Sequence, residues 1–164
     1  MHKVLLSVLF SLILVAAGSS VALAFQAGGA VVGDLETGSV IGQPFTTLDV
    51  DLEYTALMIG GKKAWYPGTS ILDLRNQGTG GRRGQPVLIK VTNALDGVHG
   101  FSLSADSAFA GPTSLQVAIT VEAGETKYIG IPMVDLTYVT ASGNMKVKCQ
   151  LHAAHLGSNL LILK

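Results

Sequence analysis

A single cysteine, Cys149, stands in a chain of 164 residues. It excludes an intrachain disulfide, and with it every fold that depends on disulfide staples. It also excludes the usual two-cysteine haem attachment and a dinuclear copper centre bridged by two thiolates. Charge is scarce as well, at 13% of residues, and its eleven basic and eleven acidic side chains cancel. A neutral chain carries no electrostatic footprint for nucleic acid and no obvious one for an anionic membrane. Long hydrophobic runs are absent: the longest, residues 4–17, is about 14 residues, short of the roughly 20 that span a bilayer as a helix. What the chain does have is 48% hydrophobic residues and 20 glycines. That apolar content argues against disorder, and the length fits one domain.

The first 24 residues read as a secretory signal peptide. His2 and Lys3 make a short basic start, the apolar run follows, and Ala22-Leu23-Ala24 has the small-x-small form of a cleavage site. Cleavage there leaves no membrane anchor, and the expected location is periplasmic or extracellular. Such compartments are oxidising, so a retained free thiol needs a reason.

Residues 25–45 are glycine-rich and weakly patterned, and are expected to form an N-terminal arm, with room for a short strand. Residues 46–164 read as one all-β domain, a Greek-key β-sandwich. Period-two alternation puts Leu48, Val50, Leu52, Tyr54 and Ala56 on one face and Asp49, Asp51, Glu53 and Thr55 on the other, wet one. Further strands are expected at 65–74, 87–92, 98–104, 115–121, 126–131, 145–149 and 158–163. The segment 76–85 reads as a surface loop without the ending of a phosphate-binding loop. Short helices are allowed at 105–112 or 133–142. Met58, Met133 and Met145 are expected in the core.

The chemistry concentrates in four residues. Beyond the signal peptide three histidines remain, His99, His152 and His155, and all of them fall with Cys149 into two short motifs, 98–101 and 149–155. Packing alone gives no reason for that grouping; a metal site does. Cys149 ends a strand on the core face shared with Met145 and Val147, His152 and His155 follow on the next turn, and His99 arrives about 50 residues earlier. A thiolate with two imidazoles and a variable further ligand suits mononuclear copper. Zinc would accept the same four groups in a closed tetrahedron. A nucleophilic cysteine is the weaker reading, because such thiolates favour helix starts and three histidines exceed a dyad. No acid–base constellation is visible, so no enzymatic activity is expected.

These residues resemble the cupredoxins over about 46–164. The resemblance is carried by His99-Gly100-Phe101, by Ala123-Gly124-Glu125-Thr126 and by the run from Cys149-Gln150-Leu151-His152 to Gly157-Ser158-Asn159-Leu160. Within that family the runs 100–102, 123–127 and 149–152 look like nitrosocyanin and its relatives. Three departures stand out. The red copper protein of that group has Glu where His99 stands, its second histidine lies further from the cysteine, and the usual axial methionine of blue copper proteins is missing, with His155 near its place. The resemblance implies one copper ion per chain held by His99, Cys149, His152 and His155, and one-electron exchange with redox partner proteins. It leaves open an alternative role in binding a small ligand such as nitric oxide or in carrying copper. If His155 swings out, solvent or the Gly97 carbonyl becomes the weak fourth partner. Asn93 and Asp96 are expected to support the ligands, and Phe101, Leu151 and Leu156 are candidates for a docking rim, with simple packing as the equal alternative for Phe101 and Leu151.

Overall fold

The computed structural model describes residues 25–75, 84–105, 115–138 and 143–164. The signal peptide, most of the 76–85 loop, most of the 105–112 segment and the end of 133–142 lie outside the described residues. In chain order the strands are β1 (Phe25–Ala27), β2 (Val31–Gly33), β3 (Ser39–Val40), β4 (Gln43–Pro44), β5 (Val50–Ile59), β6 (Lys62–Tyr66), β7 (Thr69–Asp73), β8 (Val87–Asn93), β9 (His99–Ala105), β10 (Gln116–Val121), β11 (Thr126–Ile131), β12 (Asn144–Lys148) and β13 (Ser158–Leu163). One helix, α1 (Met133–Tyr138), lies where a short helix is allowed by the sequence. Two sheets form the sandwich, ordered β1-β10-β9-β12-β13-β7 and β2-β11-β8-β5-β6. Strands β8 to β11 cross from one sheet to the other and back: β8 pairs with β11, and β9 with β10. The expected all-β Greek-key sandwich is thus the observed architecture.

Alternation along each strand builds the core. Leu52, Tyr54, Ala56, Ile89 and Val91 from one sheet face Phe101, Leu103, Val117, Ile119, Met145 and Val147 from the other, all in one buried cluster. Phe101 sits at its centre, 0% exposed, with its ring 5.5 Å from Tyr54 and edge-on to Trp65 at 5.1 Å. It is therefore a core residue and not part of a docking rim.

Three expectations change in detail. The strand expected at 65–74 is two strands, because Pro67 offers no N–H to a ladder and the chain passes there from β6 in one sheet to β7 in the other. Val50 is exposed, not buried, because the register shifts between Val50 and Leu52. Asp51 lies at that irregularity, and its carboxylate accepts a hydrogen bond from the Leu88 N–H at 2.9 Å. Met58 is exposed, because the β5–β8 pairing ends at Ala56 and the last residues of β5 keep only β6 beside them; Met133 and Met145 are buried as expected.

The segment 25–45 is built into the sandwich. Strand β1 pairs with β10 and β2 with β11, so the segment adds a strand to each sheet. Val40 and Phe45 pack with Leu88 in a second buried cluster. Gly130 on β11 makes that possible, since a Cβ there would press on the Phe45 ring and the Val40 side chain.

Truncating the central ring tests this packing. Phe101→Ala is expected to lower unfolding free energy by about 3–5 kcal/mol in chemical denaturation, with the strand content unchanged at low denaturant. A loss below about 1 kcal/mol would contradict the central placement.

Candidate metal centre

Two loops at one end of the sandwich carry the three histidines and the cysteine. His99 opens β9, paired with Val121, and is 1% exposed. The turn before it is shaped by Asn93, the fully buried last residue of β8. The Asn93 amide donates to the Gly97 carbonyl at 2.8 Å and to the Val121 carbonyl at 2.9 Å, and its oxygen accepts from the Leu95 N–H at 3.0 Å. The main chain of Asp96 lies close enough to the His99 ring to favour its protonated form. Of the two expected supports, Asn93 braces the turn through its side chain. The Gly97 carbonyl, the expected stand-in ligand, accepts the hydrogen bond from Asn93.

Cys149 follows β12 directly and is buried, on the same strand face as the buried Met145 and Val147. From there the chain makes two successive turns. The His152 N–H reaches the Cys149 carbonyl at 3.4 Å, and the His155 N–H reaches the His152 carbonyl at 3.1 Å. These turns fold both imidazoles back toward the thiol. The loop is then tied to β6: the Leu156 N–H donates to the Lys63 carbonyl at 2.9 Å, and the Trp65 N–H donates to the Leu156 carbonyl at 3.0 Å. The Trp65 indole adds a bond to the Gly100 carbonyl at 3.1 Å.

Gln150 ties the other side of the loop, donating to the Ile119 carbonyl at 2.7 Å. Its side chain lies across Gly100, where a Cβ would come within 2.5 Å of it. The supporting roles of Lys63, Trp65 and Gln150 are not part of the sequence reading. Gln150 had a local signal, since it lies inside the ligand motif. Lys63 and Trp65 had none, because only the sheet pairing brings β6 to the loop.

The structure brings together all four expected ligands. One ligand atom from each of His99, Cys149, His152 and His155 lies within 4.8 Å of the others. Cys149 Sγ is 3.4 Å from His152 Nδ1, and the His152 and His155 rings stack with centroids 4.5 Å apart. It is the only such group of three or more histidine, cysteine and carboxylate ligands among the described residues, so the carboxylates of β5 form no second one. His99 Nε2 is buried with no hydrogen-bond partner. That leaves a polar ring atom in the interior without a partner, which a metal ion would satisfy.

Three imidazoles and one thiol thus fit a resident metal ion. Burial foremost, then the Lys63 charge and His152, holds the His99 ring below the ordinary imidazole range. Burial again, then His152, His99 and Lys63, does the same for His155. Both rings are therefore neutral at neutral pH, the form that binds a metal.

These shifts set a pH dependence for the metal-free protein. In the unfolded chain both rings take up protons near the ordinary imidazole value of 6.5, whereas in the fold they do so only at lower pH. Their contribution to stability is full above that value and is lost as pH falls below it. Urea midpoints measured between about pH 7.5 and about pH 5 are expected to drop on acidification. The drop is expected to shrink in His155→Gln, and an equal drop in that variant would contradict the assignment.

No protein-family model and no curated protein matches the chain. Among solved structures it is similar to the reduced Cu(I) form of a point mutant of amicyanin, at 7% identity and a TM-score of 0.45, covering 82% of this chain and 98% of that one. It is similar to the reduced auracyanin of the photosynthetic bacterium Roseiflexus castenholzii, at 14% identity and a TM-score of 0.46, covering 69% and 96%. A purple cupredoxin from Nitrosopumilus maritimus matches at 11% identity and a TM-score of 0.43, covering 68% and 99%. At these values no ligand, partner or activity carries over to this chain, and the centre stands on its own residues.

Proposed function

We propose that this chain is an exported, cupredoxin-type protein that holds one copper ion and carries single electrons between partner proteins. The observation that carries the reading is the convergence of three imidazoles and the chain's only thiol at one end of a β-sandwich, with His99 Nε2 buried and unpartnered. A soft thiolate with imidazoles selects copper over the hard cations. Bound there, copper supplies a one-electron couple between Cu(II) and Cu(I).

The protein's part is to keep the donors in place while that charge changes. Cys149 is fixed by the end of β12, His99 by the Asn93-braced turn, and the 149–157 loop by main-chain bonds to β6. His152 is exposed, which gives a partner an edge to approach, and Leu151 and Leu156 on either side of the histidines are exposed apolar contacts. The family reading rests on the ligand spacing and the local runs. His99 in place of Glu sets the chain apart from the red copper protein of the nitrosocyanin group. The reading as a carrier is supported by a cluster that, among the described residues, consists of the three imidazoles and the thiol. Export rests on residues 1–24.

A second reading has one specific support. A cleft of about 590 Å³ opens beside Cys149, His152 and His155, with room for a small ligand to reach the centre.

Loading with Cu(II) is expected to give a strong thiolate-to-copper charge-transfer band that Cys149→Ser abolishes. No band in the wild type, or tight binding of zinc with no copper spectrum, would overturn the proposal. His155→Met replaces a strong nitrogen donor with a thioether and is expected to raise the reduction potential; an unchanged potential means that His155 is not a ligand. A spectral change on adding azide or nitric oxide would favour the small-ligand reading.

A further inference from the structure

We propose that the face carrying the 149–157 loop docks a partner protein that presents carboxylates, with Lys63 on one flank of the loop and Lys148 on the other as anchors. The inference deepens the carrier reading and takes from it the purpose of docking. Its binding part stands on the charge layout alone.

The chain is neutral overall, yet its charges are sorted. Several carboxylates are already matched: Asp73 by Arg75 at 2.7 Å, Glu53 by Lys90 at 3.5 Å and Glu125 by Lys127 at 3.4 Å. Lys63 and Lys148 are in no ion pair among the described residues. Lys146 and Lys148 line the cleft together with His152 and His155. On the opposite flank, Lys63 receives the Leu156 N–H on its carbonyl, and its ammonium bears electrostatically on both His99 and His155.

Between the two flanks lie the exposed Leu151, His152 and Leu156. Apolar centre and cationic margin are the layout of a protein contact: charges steer the encounter, and the apolar residues exclude water once it forms. The exposed Asp96 sits on the other loop, beside His99, so the positive field is one-sided and sets the orientation of the partner. An acidic surface matches this layout and a basic one opposes it.

The test uses the metal-free protein and nuclear magnetic resonance. Hexacyanochromate(III), an inert paramagnetic trianion, is expected to broaden amide signals of residues 146–153 and of Lys63, whereas the trication hexaamminechromium(III) leaves them sharp. An oligoglutamate peptide is expected to shift the same signals and to displace the trianion. Its affinity is expected to fall about tenfold or more between low salt and about 0.2 M salt. The double variant Lys63→Gln, Lys148→Gln, with an otherwise native spectrum, is expected to lose a similar factor at low salt.

Preference of this face for the trication overturns the proposal, as does broadening without localisation. A trianion that localises while the peptide does not shift the signals overturns it too, leaving a small-anion site only. The copper reading fails separately, by absence of the thiolate band in the loaded protein, and that result leaves the amide map unchanged.

Discussion

A buried imidazole nitrogen with no partner is the constraint around which this end of the molecule is organised. His99 Nε2 has no hydrogen-bond partner, and leaving such a group unsatisfied costs about 1–3 kcal/mol. The fold nevertheless fixes the ring in that state. Asn93 commits both ends of its amide to the turn that delivers His99. A thiol and two more imidazoles are then brought to it from a loop some fifty residues further on. Such an arrangement makes sense as a site whose missing bond comes from a metal ion.

The second half of the site is held by both sheets at once. Gln150 ties the 149–157 loop to β10 across Gly100, and Lys63 and Trp65 tie it to β6 in the opposite sheet. A loop anchored to both layers cannot move without disturbing hydrogen bonds on two sides. Rigid donors are what one-electron exchange asks of a protein, since any rearrangement between oxidation states slows the transfer. The same anchoring leaves Leu151, His152 and Leu156 outward, so the anchored side and the exposed side are two faces of one loop.

The four candidate ligands were legible in the sequence because they use the rarest chemistry in it: the lone cysteine and every histidine beyond residue 24. The sandwich was legible because alternation survives along β10, β12 and β13, each with one face in the core. The 25–45 segment was less so. Its strands are two or three residues long, too short for a period to show, and its glycines make room for Phe45 without forming a pattern. Val50 and Phe101 mark another limit. A one-residue irregularity at Asp51 reverses the face of Val50, and an aromatic next to a ligand reads alike as rim or core until the opposite sheet, with Tyr54 and Trp65, is in place. Lys63 carried no local signal at all, because its closeness to His155 is a property of how β6 meets the loop.

X-ray absorption at the copper edge of the loaded protein addresses the central claim most directly, since it counts the donor types around the ion. The account requires a single sulfur scatterer, lost in Cys149→Ser, together with imidazole scatterers whose number falls in His99→Gln. A shell of oxygen and nitrogen alone, unchanged in both variants, would contradict it.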